Sequence, residues 1–134
     1  AENDFDAPGV RNLTPVSTQG KDFVMSLPHN AIWLATGEDY QFQEYSYVSS
    51  SGGIQTTICA NIPLNEIVDA VEYCANPNSL RYMTLRLDGG YAGNGITNYS
   101  GWSIERKLPG FDTNNSAFDF VNNRVPTPGW SHEQ

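Results

Sequence analysis

A chain of 134 residues has the commonest length for a single domain, and a globule of that size buries roughly two thirds of the surface its unfolded chain exposes. A formal net charge of −8, with two Lys and five Arg scattered among 15 acids, weighs against a phosphate backbone or an anionic membrane surface as partner. No apolar run approaches the ~20 residues of a membrane span.

The charged fraction of 16% is below the usual ~25%, and Asn, Ser, Thr and Gly fill the gap. The chain opens at Ala1-Glu2, as a product of signal-peptide cleavage would, although any other trimmed start looks the same. Residues 1–20 combine Asp4, Asp6, Pro8, Gly9, Pro15 and Gly20 with the spaced apolar anchors Phe5, Val10, Leu13 and Val16. This pattern predicts an extended arm, laid over the core or added as a strand to a neighbouring subunit. The globular body is then 21–134. Within it, 21–27 alternates weakly and reads as a strand, Pro28-His-Asn30 as a turn, and 31–35 (Ala-Ile-Trp-Leu-Ala) as a short strand. The longest strand signal is 40–49, with Phe42, Glu44, Ser46 and Val48 opposite Gln41, Gln43, Tyr45 and Tyr47. Phe42 and Val48 are expected to face the core, leaving Tyr45 and Tyr47 on a polar aromatic face. Ser49-Ser-Ser-Gly-Gly53 closes a hairpin onto the β-branched run 54–59.

Residues 63–75 carry Leu64, Ile67, Val68, Val71 and Ala75 at the spacing of one helical stripe, with Asn65, Glu66, Asp69 and Glu72 opposite. The pattern predicts an amphipathic helix packed on the sheet by its apolar side and solvated on its acidic side. Two cysteines without a CxxC spacing or a nearby His make a poor zinc site. Cys59 and Cys74 are therefore expected to form a disulfide clamping helix to strand, closing a loop worth ~3 kcal/mol. That bridge and the cleaved-looking start together point to an extracellular or periplasmic setting.

Leu80 to Asp88 alternates as a strand and ends at Gly89-Gly90. The stretch 89–101 holds five glycines with Tyr91, Asn94, Asn98 and Tyr99, and a loop this long is a candidate for recognition. Residues 102–108 alternate again, Phe111, Phe118, Phe120 and Val121 supply one more short strand, and Pro126, Pro128 and Gly129 exclude regular structure near the end. The fold expected is one α+β domain: a mostly antiparallel sheet of about five to seven strands, one helix over 63–75 packed on it, and one disulfide.

No motif fixes a reaction. A Cys–His nucleophile fails if the cysteines are bridged, and His29 in its turn and His132 near the end have no G-x-S-x-G elbow to serve. Acid pairs for glycoside hydrolysis exist on paper, in Glu38, Asp39 and Glu44 or in Asp88 and Glu105, but 15 acids make such pairs inevitable. Asp112-Thr-Asn-Asn-Ser116 begins like a calcium loop, yet lacks the sixth-position Gly and the twelfth-position Glu. The glycine run has neither a P-loop Lys nor dinucleotide spacing. Asn12, Asn98 and Asn114 start N-glycosylation sequons, about the number that 13 Asn residues give by chance. No cofactor or metal is expected. What remains is a set of aromatic and amide side chains, Tyr45, Tyr47, Tyr91, Asn94, Asn98 and Tyr99, joined in places by Trp33 or Trp130. The sequence thus favours a non-enzymatic module that binds a protein partner or like subunits through an aromatic-polar surface and the Gly-rich loop. A carbohydrate-binding module and a small hydrolase using paired carboxylates are the alternatives.

Overall fold

The computed structural model describes Leu13, Thr14, Val16 and residues 29–127. Most of the expected arm, the expected strand 21–27, Asn12, Trp130 and His132 lie outside the described residues. Among the described residues six strands pair antiparallel in three two-stranded sheets, and the chain divides into two compact units. Among residues 29–127, one unit is the hairpin Gln41–Asn61 and the other takes in 29–40 and 62–127.

The hairpin joins β2 (Gln41–Val48) to β3 (Ile54–Asn61) in unbroken register, from Gln41 opposite Asn61 to Val48 opposite Ile54. Its turn is closed by the Ser49 N–H on the Gly53 carbonyl and the Gly52 N–H on the Ser49 carbonyl, both at 2.9 Å. Gly52 takes the positive φ, 84°, that such a turn requires. Across the strands the Ser46 and Thr56 hydroxyls meet at 2.9 Å, and the Tyr47 hydroxyl donates to Gln55 at 3.0 Å. Every residue of β2 is exposed, Phe42 and Val48 included, so neither faces a core as the alternation had suggested. Cross-strand pairing contributes what burial does not.

The helix expected over 63–75 is absent. A single 3-10 turn at Leu64–Glu66 leads into a strand, β4 (Ile67–Cys74), which pairs with β1 (His29–Ala35) from His29 opposite Cys74 to Ala35 opposite Ile67, with an irregularity at Leu34/Ala35. Ile67, Val68 and Val71 are β-branched and suit a pleated strand better than a helix. Two of the three acids that read as a solvated helix face are drawn inward: Glu72 is fully buried, and Asp69 is half-buried and ion-paired with Arg106. Period 2 wins because these polar side chains find partners inside.

The disulfide is absent as well. Cys59 is a free, exposed thiol on β3 opposite Gln43, and Cys74 is a free, buried thiol whose Sγ donates to the Asn76 carbonyl at 3.1 Å. The clamp required a helix returning beside its strand, whereas β4 runs extended for eight residues, on the order of 25 Å. Both thiols are free, and the compartment argument loses that support. The strand expected at 80–88 is a series of turns and bends: the Leu87 and Asp88 N–H groups bond back to the Thr84 carbonyl, and those of Tyr82 and Met83 are taken by Glu72. β5 (Ser103–Arg106) pairs with β6 (Phe120–Asn123), and one turn of helix, α1 (Ser116–Asp119), precedes β6. In place of an α+β layer pair, the described fold is β-sheet with one short helix.

Candidate functional site

Two fully buried carboxylates frame the glycine-rich loop. Asp88, at its entrance, accepts from the Glu72 N–H at 2.8 Å, the Ser116 N–H at 2.7 Å, the Ser116 hydroxyl at 2.6 Å and the Gly90 N–H at 3.1 Å. The chain then runs beside β4: the Ala92 N–H donates to the Glu72 carbonyl and the Cys74 N–H to the Ala92 carbonyl, both at 2.9 Å, as a parallel bridge between Tyr73 and Ala92. On its other side the loop lies close to residues 115–117, and Gly90 permits that contact, since a Cβ there would press on the Asn115 side chain and come within 2.7 Å of the Ala117 Cβ. Gly93 turns the loop at φ 77°, against Ile104.

Glu72 organises the segment that precedes the loop. Its carboxylate accepts from His29 Nε2 at 2.8 Å, the Tyr82 N–H at 2.6 Å and the Met83 N–H at 3.1 Å, and lies 3.1 Å from Arg81. Burial works to raise its pKa, but the Tyr82 N–H, His29, the Met83 N–H and the Arg81 guanidinium together hold the carboxyl below its ordinary value. The His29 ring stacks on Tyr82, 3.9 Å between centroids at 1°, and meets the edge of Tyr91 at 5.5 Å. Tyr91 also lies under Arg81 and donates to the Ser79 carbonyl at 2.5 Å; burial and the Glu72 charge push its phenol up. His29 is therefore the first residue of β1 and part of an internal network, where the sequence suggested a turn.

Past Gly93 the loop overhangs a cleft of about 440 Å³. Tyr73, Ile96, Trp102 and Ile104 give it apolar walls, and Thr97, Asn98 and Ser100 give it polar ones. Two turns shape the lip, the Ile96 N–H on the Gly93 carbonyl and the Ser100 N–H on the Thr97 carbonyl. Within the second turn Tyr99 also lines the cleft, with its side chain largely in solvent at 91% exposure. Its φ of 61° places a bulky residue in the left-handed region, which costs free energy and marks backbone held in place by its surroundings. Beside this lip the Arg124 guanidinium lies 4.9 Å from the Trp102 ring centroid. A second cavity of about 250 Å³, lined by Ile32, Val71 and Phe120 among others, shares Tyr73 and Ile104 with the cleft.

Of the residues singled out from sequence, Asn98 and Tyr99 line this cleft. Asn94 is exposed and its carbonyl accepts from Asn122 at 2.9 Å. Tyr91 is half-buried in the His29–Arg81 network, and Tyr45 and Tyr47 are exposed on β2. The expected aromatic surface does not form: among the described residues no ring contact joins Tyr45, Tyr47 or Tyr99 to another ring, and Tyr91 is turned inward. The suggested acid pairs fare differently. Asp88 is saturated by N–H and O–H donors, and Glu105 accepts from Ser103, Asn123 and the Thr127 N–H and hydroxyl. In the calcium-like stretch, Asp112 accepts the Asn114 N–H, and Asp119 accepts the Thr113 hydroxyl and the Thr113 and Asn115 N–H groups. Burial opposes ionisation of Asp119, but these donors and Arg106 hold its pKa below the ordinary value. Among the described residues no cluster of three His, Cys, Asp or Glu could hold a metal ion, and no helix is long and apolar enough to cross a membrane. Sequence reasoning missed Thr97, Ser100, Trp102 and Arg124. The available signal was an aromatic residue placed directly after the last loop glycine, Gly101.

A family model described as "Protein of unknown function (DUF4876)" matches residues 1–127. No curated protein and no solved structure matches the chain.

Proposed function

We propose, for a chain that belongs to the DUF4876 family and takes no activity from that family's description, that it is a binding module which engages a protein partner through the lip and cleft of loop 89–101. The observation that carries this reading is Tyr99: a large ring, 91% exposed, on left-handed backbone at the edge of a cleft. An apolar ring kept in water at a conformational cost contributes nothing to folding, and Tyr on a rigid loop gives contact area at small entropic loss on binding. The cleft volume falls within the range of small-ligand pockets and suits one or two side chains of a partner.

The test is to place a photo-crosslinking phenylalanine analogue at position 99, and separately at the inward-facing position 91, in cells that produce the protein. A discrete protein adduct from position 99 and none from position 91 supports the reading. An adduct of twice the chain mass identifies the partner as a second copy. Absence of any adduct at 99, or equal labelling at both positions, overturns it. The cleft also favours a second reading, since Trp102 and Tyr73 beside Asn98, Thr97 and Ser100 combine ring faces with hydrogen-bonding groups as a sugar site does. A glycan array that lights up with wild type and goes dark with Trp102→Ala would establish that reading instead.

A further inference from the structure

Resting on that reading, we propose that the cleft is selective for a carboxylate: the partner presents an acidic peptide segment, with an apolar side chain between Tyr73, Ile96, Trp102 and Ile104 and its carboxylate at Arg124. The chain carries 15 acids against seven basic residues, yet no acid lines this cleft; its polar lining is Thr97, Asn98 and Ser100. Of the other four cations among the described residues, two are ion-paired and Arg86 and Lys107 are not. Arg81 is held by Glu72 and Arg106 by Asp69. Arg124 is exposed, and among the described residues no carboxylate pairs with it; its contact is the Trp102 ring. Stacking on an indole holds a guanidinium plane in place while leaving its N–H edges free, and those edges match a carboxylate in a two-pronged hydrogen bond. The result is a largely apolar cleft without acids, with a cation stacked on Trp102, one of the residues that line it. Anion selectivity here comes from where the acids are missing as much as from where the arginine stands.

Three probes separate the sources of the charge: N-acetyl-tryptophan, whose carboxylate mimics a chain terminus; acetyl-Trp-Asp-amide, which carries it on a side chain; and N-acetyl-tryptophanamide, which has none. Titrated into the full chain and followed by amide NMR shifts of 96–102 and the Trp102 indole, either acid is expected to bind about tenfold tighter than the neutral amide at low salt. That preference should shrink as ionic strength rises, since the arginine is solvent-exposed. In Arg124→Met it should vanish, and in Arg124→Lys it should return in part, with thermal midpoints recorded to show that both variants are folded. Equal affinity for all three probes, shifts elsewhere than 96–102, or a preference that survives Arg124→Met would overturn the proposal. The wild-type comparison stands even if a variant fails to fold. The two readings fail separately: a position-99 adduct without charge preference removes the carboxylate and keeps the partner, while a charge preference without an adduct removes the protein partner.

Discussion

At the scale of single residues the chain spends charge where sequence patterns place water. Glu72 sits at the meeting point of β1, β4 and the 80–88 turns, and each of its acceptor positions is used. Replacing it with Gln keeps the size, removes the charge facing Arg81, and turns an acceptor into a donor against backbone N–H groups. Glu72→Gln should therefore cost about 3 kcal/mol in urea unfolding, whereas Gln at the exposed Glu38 should change stability by less than about 0.5 kcal/mol. If both substitutions cost the same, the network around Glu72 is not what holds these turns. Tyr99 makes the opposite case. Glycine accepts its φ of 61° without strain, so Tyr99→Gly should leave the melting temperature unchanged or raise it, the added unfolded-chain entropy being offset by relief of strain. The same substitution should abolish the adduct-forming partner in a pull-down. A marked loss of stability would instead make the ring a folding element.

Elements were legible where one periodicity fitted and illegible where two did. The hairpin was readable because Tyr40 to Ser49 alternates and the Ser-Gly turn that follows offers a positive φ. In β4 the same residues satisfy both periods: Ile67, Val68 and Val71 fit a helical stripe, while Ile67, Asp69, Val71 and Tyr73 fit one face of a strand. The tie was decided by internal partners for Asp69 and Glu72, from Arg106 and His29 far away in sequence and from Arg81 and the 80–88 turns beyond the end of the strand, none of which marks the periodicity of 67–74 itself. The loop 89–101 was recognisable by its glycines, but Tyr91 and Tyr99 look alike in sequence and only packing separates the inward ring from the outward one. Two predictions belong here. Gly90→Ala should cost about 2 kcal/mol or more, because the new Cβ meets Asn115 and Ala117, whereas Gly53→Ala, which meets only the Ser49 hydroxyl at 3.8 Å, should cost less than about 1 kcal/mol; chemical denaturation of the pair checks the contrast. A thiol reagent should find two free thiols in the unfolded, unreduced chain. In the native protein the exposed Cys59 should react promptly and the buried Cys74 only as the structure opens.

Across the molecule, stability is tied to ionised carboxylates held inside. Among the described residues the fully or nearly buried apolar side chains are few and mostly small, Ala70, Tyr73, Cys74, Met83 and Ala92, while Glu72, Asp88, Ser116 and Asp119 are buried with them. A core so composed depends on its hydrogen bonds as well as on area removed from water. Glu72 and Asp119 both have folded pKa values below the ordinary 4.5 and 3.8, so in acid the unfolded chain binds protons that the folded chain refuses. Stability from these groups is therefore present in full above the ordinary values, and is lost as the pH falls below them and through the depressed folded values. The unfolding free energy should be level from pH 7 to about 5.5 and then decline steeply toward pH 3. Because both groups lie in the unit formed by 29–40 and 62–127, the loss should appear there, in hydrogen exchange of β1 and β4. Glu72→Gln should flatten part of the decline. Urea midpoints at five pH values for wild type and variant measure this, and parallel curves for the two would show that Glu72 contributes no linked protonation.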